Sequence, residues 1–396
     1  MIKYANQYIR SAASLIEQYD GTTPFAAFLK QYFKAHPKFG SKDRRYISQL
    51  CYTYFRIGKS ICCELTEEKI KASFFLCETH AGEWADLFTD EWLAAWSDNL
   101  AAKWTFICSV FPGSDPTKLF AWNDELSKDV EAQLFSNAHL VQPDLFLRIR
   151  PGKEKMILQK LTDQQIPFQQ LSENCLALPN GTKIDAALAV DKDVVVQDFS
   201  SQSVAAFFPS VSSSLTASKI WDCCAASGGK SLLAYDTIKN IRLTVSDLRP
   251  AILRNLKERF VQAGIKQYDS FVADIADPKF NIHSVNNGAP FKIVICDAPC
   301  SGSGTWGRTP EQLHFFSVEK IKEYASLQKK IVANVIPHIE KDGYLLYITC
   351  SVFKKENEEV VAFIQNNSAI QLIKMELLKG YDKKADSMFV ALFKVA

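Results

Sequence analysis

The sequence lacks any uncharged apolar run of the roughly 18 to 20 residues that a membrane-spanning helix needs. Its first 20 residues mix charged and apolar residues at helical spacing, unlike the apolar block of a signal peptide. Low-complexity segments and internal repeats are missing too. The composition, 47% hydrophobic and 23% charged, is that of an ordinary globular protein. We therefore predict a soluble, cytoplasmic protein, and its 396 residues favour two or three domains.

The sequence also has none of the short motifs that most metal sites and several enzyme classes require. Its 11 cysteines form no CxxC pair, and none of its six histidines has a companion at metal-ligand spacing. The absence of HExxH, GxSxG and DxDxDG patterns gives no support to a metalloprotease, a serine hydrolase or an EF-hand. An odd, irregularly spaced set of cysteines indicates free thiols in a reducing compartment. We predict no metal site.

The net charge of only +2 conceals two strongly charged segments of opposite sign. Residues 30–59 contain eight basic residues and one acid, whereas residues 61–100 contain nine acids and two lysines. Such a polarised region can present a basic face to phosphate groups, and two solvated faces of a helical bundle give the same pattern. Both interpretations remain open at the level of the sequence.

Two predicted domains precede the longest one. Residues 1–140 repeat apolar residues every three or four positions and predict an all-α domain, with helical segments AASLIEQY, PFAAFLKQYFKAH, SKDRRYISQLCYTYFRIGK and DEWLAAWSDNLAAKWTFICSVF. Residues 141–195 combine short β-rich runs with one helical stretch, KEKMILQKLTDQQ, and predict a small α+β module.

Residues 196–396 alternate apolar runs with loops or helical segments, which predicts a doubly wound, mostly parallel α/β sheet of Rossmann-like type. The predicted strands are SKIWDCCA, LTVSDL, SFVADI, FKIVICDAP and GYLLYITCS. Acids lie at the carboxyl ends of the first four runs, at Asp222, Asp247, Asp274 and Asp297. Ligands of such sheets bind beyond the carboxyl ends of the strands, so we expect the acids to face a ligand. Each acid can instead be an N-cap of the helix that follows it.

The loop from Asp222 to Ser231 joins a predicted strand to a helix through small residues, so its backbone can approach a ligand closely. ATP fits poorly, because a P-loop needs glycine where Cys224 stands. NAD fits poorly as well, because GxGxxG is absent, although Asp247 has the spacing of a ribose ligand. S-adenosylmethionine fits best, with the loop at its amino-acid moiety and Asp247 and Asp274 at its nucleoside.

Two cysteines should emerge at the same edge of the sheet, Cys300 after the fourth strand and Cys350 after the fifth. A thiolate that adds to C6 of cytosine makes C5 nucleophilic enough to accept a methyl group, and a second cysteine can assist elimination. Asp297 can hydrogen-bond the N3 and N4 edge of the base. The residues alone do not tell which cysteine attacks, and either one alone would be interpreted as a buried structural thiol.

These segments resemble the S-adenosylmethionine-dependent RNA cytosine-C5 methyltransferases of the RsmB/Sun (Nop/NSUN) family, in particular its RsmB-like branch. The motifs are long and occur in the family's order: VVQDFSSQSVAAFF, DCCAASGGKS, DAPCSGSGTWGRTPE and YITCSVFKKENEEVV. The run GSKDRRYISQLCYTYFRIGK is similar to the NusB-like RNA-binding domain of that branch, and residues 141–195 are similar to the family's small RNA-binding module.

The resemblance implies a role for each matching residue. Cys350 is the nucleophile, Cys300 releases the product, and Asp297 contacts the base and serves as an acid. Asp247 lies at the ribose of S-adenosylmethionine and Asp274 near its adenine. The full set implied for the cofactor is Cys224, Ala225, Ala226, Ser227, Gly228, Gly229, Lys230, Asp247, Asp274 and Asp297.

The resemblance therefore implies an enzyme that binds structured RNA and makes 5-methylcytosine in ribosomal RNA, with the small subunit favoured as the substrate. A monomer is the default expectation. Transfer RNA is the alternative substrate, and a catalytically silent ribosome-assembly factor is the alternative function. A DNA methyltransferase is disfavoured, because it should centre on one proline-cysteine loop. The chain departs from the family pattern at Arg150, where asparagine is usual, at Ser227, where proline is usual, and at Ser387, within the common DGFF segment.

Overall fold

A computed structural model of the chain describes residues 2–209, 217–282 and 288–396, so His283 lies outside the described residues. Contacts between Cα atoms divide the chain into two compact units. The helical unit contains Met1–Asp124, Glu131–Gln142 and Trp306–Ser317. The sheet unit contains Glu125–Val130, Pro143–Thr305 and Val318–Ala396. The domain boundaries at 140/141 and 195/196 stay predictions.

The helical unit packs its helices around an aromatic-rich core that includes Tyr8, Phe25, Phe55 and Trp84. The unit contains the helices Ala5–Gln18, Phe25–Ala35, Ser41–Arg56, Thr66–Cys77, Asp90–Ala94, Leu100–Val110, Ala132–Ala138 and Gln312–Phe315. The N-terminal region is therefore helical, as the apolar spacing predicts, whereas a NusB-like arrangement of these helices stays a prediction.

The sequence periodicity predicts one helix where this unit has two. The predicted helix over residues 90–111 consists of Asp90–Ala94 and Leu100–Val110. The side chain of Asn99 accepts hydrogen bonds from the backbone N–H groups of Ala101 and Ala102, so it caps the second helix and fixes the break.

The segment Trp306–Ser317 belongs to the helical unit although it follows the Cys300 loop in the sequence. Arg56, which is only 3% exposed, donates hydrogen bonds to the carbonyl oxygens of His139 and Gly307, each at 2.9 Å. The backbone N–H of Phe25 donates to the buried Glu311 carboxylate at 3.1 Å. One of the eight basic residues of the 30–59 segment is therefore structural, and its charge is satisfied by buried carbonyl groups.

The sheet unit begins with a four-stranded antiparallel sheet of order β2-β3-β1-β4. Its strands are β1 (Leu145–Ile149), β2 (Gln169–Ser172), β3 (Cys175–Leu178) and β4 (Val194–Val196). The helix Glu154–Asp163 packs Ile157 and Leu161 against Leu147 and Leu176 of the sheet. This is the α+β module that the sequence predicts.

The second sheet of this unit has seven strands in the order β10-β11-β9-β8-β5-β6-β7. Strands β5 to β9 are parallel and correspond to the five predicted runs, whereas β10 and β11 are antiparallel. The strands are β5 (Ser218–Asp222), β6 (Ile241–Asp247), β7 (Tyr268–Val272), β8 (Phe291–Asp297), β9 (Ile339–Thr349), β10 (Ile370–Leu378) and β11 (Met388–Val395). The mostly parallel, Rossmann-like sheet is confirmed.

Apolar layers cover both faces of this sheet, which is why its strands are apolar on both sides. The helices in this part of the chain are Phe199–Ser203, Gly229–Thr237, Pro250–Ala263, Glu319–Val335 and Glu358–Asn367. Among the described residues, no helix is long and apolar enough to cross a membrane.

The strand order also predicts where a ligand binds. Strand β5 pairs with β6 on one side and with β8 on the other, so the chain changes direction across the sheet at β5. The loops after β5 and β8 leave the sheet at this switch point, where doubly wound folds bind their ligands. These are the loops that contain the small-residue segment and Cys300.

Candidate active site

The small-residue loop after β5 is fastened to the end of β6 by two hydrogen bonds. The N–H of Ala225 donates to the carbonyl oxygen of Ser246 at 2.9 Å, and the N–H of Ala226 donates to Asp247 Oδ2 at 3.0 Å. Gly228 has a φ of +84°, and a Cβ there would lie 2.9 Å from the ring of Phe260. Glycine is therefore required at this turn, both for its backbone conformation and for the close approach of the ring.

Arg259 supports the loop at the position where the family usually has proline. Its Nη1 donates to the carbonyl oxygen of Ser227 at 2.8 Å and to Ser227 Oγ at 3.1 Å. The same guanidinium pairs with the Asp191 carboxylate at 2.7 Å. Proline at this position would restrain the backbone through its restricted φ. In this chain, hydrogen bonds from the Arg259 side chain restrain Ser227 instead.

Asp247 and Asp274 lie at the ends of two neighbouring parallel strands, as the sequence predicts. Asp247 is buried, and its Oδ1 accepts the backbone N–H of Arg249 at 2.9 Å. Asp274 is exposed, and its Oδ1 accepts the N–H of Ala276 at 2.9 Å. Both acids stabilise the turns that follow their strands, but the N-cap of the helix Pro250–Ala263 is Arg249, so Asp247 does not cap that helix. Each carboxylate oxygen can accept a second hydrogen bond, so this role does not prevent ligand binding.

Lys230 connects the loops after β5 and β8. It lies in the first turn of the helix Gly229–Thr237 and is only 5% exposed. Its Nζ lies 3.2 Å from Asp297 Oδ2 and donates to Ser201 Oγ at 2.8 Å. The buried ammonium is therefore paired, and it holds the Asp297 carboxylate beside the small-residue loop.

The two cysteines meet, as the parallel order of β8 and β9 predicts. Cys300 Sγ and Cys350 Sγ are 3.2 Å apart. The N–H of Gly304 donates to the carbonyl oxygen of Cys350 at 2.9 Å and ties the two loops together. The adjacent Cys350 thiol and burial raise the pKa of Cys300.

Glu356 is the residue at this site that the sequence analysis missed. It is fully buried, and its Oε2 accepts the N–H of Ser301 at 2.9 Å and Nε2 of Gln328 at 3.0 Å. Its Oε1 accepts Ser351 Oγ at 2.8 Å. Ser301 follows Cys300 and Ser351 follows Cys350, so one carboxylate bridges both cysteine loops. The segment KKENEE that contains Glu356 is highly charged, so nothing in its composition indicates a buried residue.

Two further departures from the family pattern have clear structural partners. The backbone N–H of Ser387 donates to the carbonyl oxygen of Gly304 at 2.9 Å, and the buried Ser387 Oγ accepts the N–H of Gly380 at 3.2 Å. Arg150 pairs with the buried Asp236 carboxylate at 2.7 Å and donates to the carbonyl oxygen of Ala263 at 2.7 Å. Arg150 therefore fastens the four-stranded sheet to a helix of the seven-stranded sheet.

Asp222 lies below the site and differs from the other strand-end acids. It is fully buried, its Oδ2 accepts Ser231 Oγ at 2.6 Å, and its Oδ1 has no hydrogen-bond partner among the described residues. Burial, together with the nearby Asp297 carboxylate, raises the pKa of Asp222 to about 7. Burial thus favours the protonated, neutral form of this carboxyl group, because its Oδ1 has no hydrogen-bond donor to stabilise a negative charge.

Comparison with protein families confirms the resemblance for the larger part of the sheet unit. Residues 214–393 match the model of the family described as 16S rRNA methyltransferase RsmB/F. The probable ribosomal RNA small subunit methyltransferase B of Bacillus subtilis is 28% identical over 242 residues, which cover 60% of this chain and 52% of the relative. The ribosomal RNA small subunit methyltransferase B of Erwinia tasmaniensis is 33% identical over 187 residues, which cover 46% and 40%. The chain thus spans about half the length of the curated relatives it matches.

Solved structures confirm the fold over the whole chain. The crystal structure of PH0851 aligns over 99% of both chains with a TM-score of 0.69 at 17% identity. A methyltransferase homologue from Pyrococcus horikoshii covers 69% of this chain and 92% of its own, with a TM-score of 0.56 at 18% identity. The structure of NSun6 from Pyrococcus horikoshii with SFG covers 67% and 96%, with a TM-score of 0.55 at 14% identity. At these identities the likeness concerns the fold alone.

Proposed function

We propose that this chain is an S-adenosylmethionine-dependent RNA cytosine-C5 methyltransferase that makes 5-methylcytosine in small-subunit ribosomal RNA. The observation that carries the proposal is the pair of sulfurs 3.2 Å apart at the switch point of the sheet, beside the Lys230–Asp297 ion pair. A single thiol at a strand end is usually structural. Two thiols in contact, on loops that follow the strand ending in Asp297 and its neighbour, match what covalent catalysis on a pyrimidine requires.

In the proposed reaction, the Cys350 thiolate adds to C6 of the target cytosine and forms a carbon–sulfur bond. The electron pair displaced toward C5 then attacks the methyl group of S-adenosylmethionine, and S-adenosylhomocysteine leaves. Cys300 gives its proton to the departing Cys350 sulfur and takes the C5 proton in return, so the C5–C6 double bond re-forms. The raised pKa of Cys300 agrees with this order of roles, because it keeps Cys300 protonated while Cys350 attacks.

The other residues of the site position the base and the cofactor. Asp297, held by Lys230, is placed to hydrogen-bond the N3 and N4 edge of the cytosine. The small-residue loop fits the amino-acid end of S-adenosylmethionine, because a Cβ at Gly229 would meet only open space. We assign Cys224–Lys230 and Asp297 to that end, Asp247 to the ribose hydroxyls, and Asp274 to the adenine. S-adenosylmethionine supplies the electrophilic methyl group.

RNA is the substrate class that best suits the charges of the helical unit. Seven of the eight basic residues between Lys30 and Lys59 are exposed, and Arg56 is the buried exception. Arg44 lies over the ring of Phe33, and Arg45 lies over the ring of Tyr46. Basic groups beside aromatic rings suit phosphates and unstacked bases.

Small-subunit ribosomal RNA is proposed because the curated relatives named here are ribosomal RNA small subunit methyltransferases. We further propose that the protein acts as a cytoplasmic monomer.

The proposal is tested by incubating the protein with S-adenosylmethionine, labelled with tritium in its methyl group, and either naked small-subunit ribosomal RNA or total transfer RNA. We expect label in the ribosomal RNA and 5-methylcytosine at one position by bisulfite sequencing. Label in transfer RNA alone would move the substrate to that class. No label in either RNA, with S-adenosylhomocysteine binding intact, would favour a silent assembly factor.

A further inference from the structure

A second group of sulfurs lies where β5 and β8 lead into the small-residue loop and the Cys300 loop. Cys223 and Cys224 follow β5, and Cys296 is the last residue but one of β8. Their three Sγ atoms lie within 4.8 Å of one another, with 4.0 Å between those of Cys223 and Cys224. The N–H of Cys223 donates to the carbonyl oxygen of Ile295 at 2.9 Å, so strand pairing holds the three sulfurs together.

Apolar residues surround two of the three sulfurs, and the carboxyl groups of Asp222 and Asp297 lie close enough to act on Cys296 electrostatically. Cys223 and Cys296 are fully buried in a layer that includes Trp221 and Ala298. Cys224 is only partly buried, so the group can be reached from the loop side. Within the described part of the chain, no histidine, aspartate or glutamate atom belongs to the group.

We propose that Cys223, Cys224 and Cys296 form a three-sulfur binding site for a thiophilic d10 metal ion such as Cu(I). Sulfur donors without nitrogen or oxygen ligands select soft ions. Metal–thiolate bonds are about 2.3 Å long, so sulfurs at the corners of a planar triangle around the ion are about 4 Å apart. The group needs to contract by less than about 1 Å to reach that geometry. Structural zinc requires a fourth ligand, and the group offers only three.

Binding replaces thiol protons by bonds to the metal. Each cysteine that binds as a thiolate releases one proton to solvent, and the ion keeps its oxidation state. The ion would enter past Cys224, the only one of the three with an exposed surface. Cys224 also belongs to the loop assigned to S-adenosylmethionine, so the test is made without that ligand, and its outcome does not depend on the proposed function.

The test uses a full-length Cys300→Ser/Cys350→Ser protein, because that sulfur pair is a second place where Cu(I) can bind. The reduced protein is titrated anaerobically against Cu(I) bicinchoninate, and the loss of the chelator's colour reports transfer of copper. We expect one equivalent to bind tightly. Adding Cys296→Val should weaken binding more than about 100-fold, because even changes behind a metal ligand cost 10- to 100-fold. Adding Cys175→Val, which removes a buried cysteine from the other sheet, should change nothing.

A second measurement keeps the test decisive if Cys296→Val fails to fold. Cys224→Ser changes only the partly exposed member and should also weaken binding more than about 100-fold. X-ray absorption at the copper edge of the loaded protein should give three sulfur neighbours at about 2.3 Å. The proposal is overturned if the Cys300→Ser/Cys350→Ser protein binds no copper, if Cys224→Ser binds as tightly as its parent, or if nitrogen or oxygen atoms surround the ion.

Discussion

Replacement of Glu356 by alanine should loosen both cysteine loops at once. The variant removes the carboxylate that accepts the Ser301 N–H, whereas Ser351 Oγ can turn to Ser303 Oγ at 3.2 Å. Gln328 keeps its hydrogen bond to the carbonyl oxygen of Pro299 at 3.0 Å. The hydrogen bonds of Ser301 and Gln328 to the buried carboxylate are lost, each at about 1–3 kcal/mol. We expect Glu356→Ala to lower the free energy of unfolding by about 2–4 kcal/mol.

The methyl transfer rate should fall as well, because the carboxylate fixes the loops that place the two sulfurs. A displacement of about 1 Å in a catalytic group can cost about 100-fold, so we expect a loss of about 10- to 100-fold in kcat with a small change in KM for S-adenosylmethionine. Glu356→Gln is the matched control. Its amide oxygen can accept from Ser301 and Gln328, and its NH2 group can donate to Ser351 Oγ, so the bridge survives without the charge.

Urea unfolding followed by circular dichroism and methyl transfer kinetics measure the two effects. We expect Glu356→Gln to stay within about 1 kcal/mol of the parent protein and to retain most of its activity. If alanine and glutamine are both harmless, the bridge between the loops is unimportant. If glutamine is as damaging as alanine, the negative charge acts in the reaction and the positioning role is refuted.

Three further predictions concern the small-residue loop and the acid beneath it. Between pH values of about 4 and 7 the folded protein holds a proton on Asp222 that the unfolded chain releases, so the contribution of Asp222 to stability should fall as the pH rises, by up to about 1.4 kcal/mol per unit. In urea unfolding, the difference in stability between the parent protein and Asp222→Asn should therefore change with pH by this slope. Asp247→Ala removes the acceptor of the Ala226 N–H, and calorimetry should give S-adenosylhomocysteine binding about 10- to 100-fold weaker, with RNA affinity unchanged. Arg259→Met removes the hydrogen bonds to Ser227 and should weaken S-adenosylhomocysteine binding about 10-fold. Unaltered affinity would show that the loop does not need the support of Arg259.

The alternating pattern of residues 196–396 was sufficient to predict the five parallel strands and the site at their carboxyl ends. Cys300 and Cys350 are predictable neighbours, because β8 and β9 are adjacent and parallel. The short helix break at Asn99 was missed because apolar spacing continues across it, and only the cap interrupts it. Strands β10 and β11 follow the last predicted strand and lack the strand–helix alternation that guided the prediction.

The residues that support the site could not be predicted, because their role depends on contacts between distant segments. Glu356 is hydrophilic and lies among lysines and acids, yet the fold buries it between two loops. Arg259 and Arg150 would be expected on the solvated faces of their elements, and only the structure gives their partners, Ser227 and Asp236. The three-sulfur group was missed for the same reason, because metal motifs are sought at short spacing and Cys296 comes from another strand.

The most direct test of the central claim is covalent trapping of RNA by Cys300→Ala. This variant is incubated with small-subunit ribosomal RNA and S-adenosylmethionine and analysed on a denaturing gel. Attack by Cys350 without release by Cys300 predicts a protein–RNA band that resists denaturation, and the band should disappear in Cys300→Ala/Cys350→Ala. A band that persists without Cys350 would contradict the assignment of the nucleophile. No band with Cys300→Ala, while the parent protein methylates the same RNA, would contradict the role of Cys300 in release.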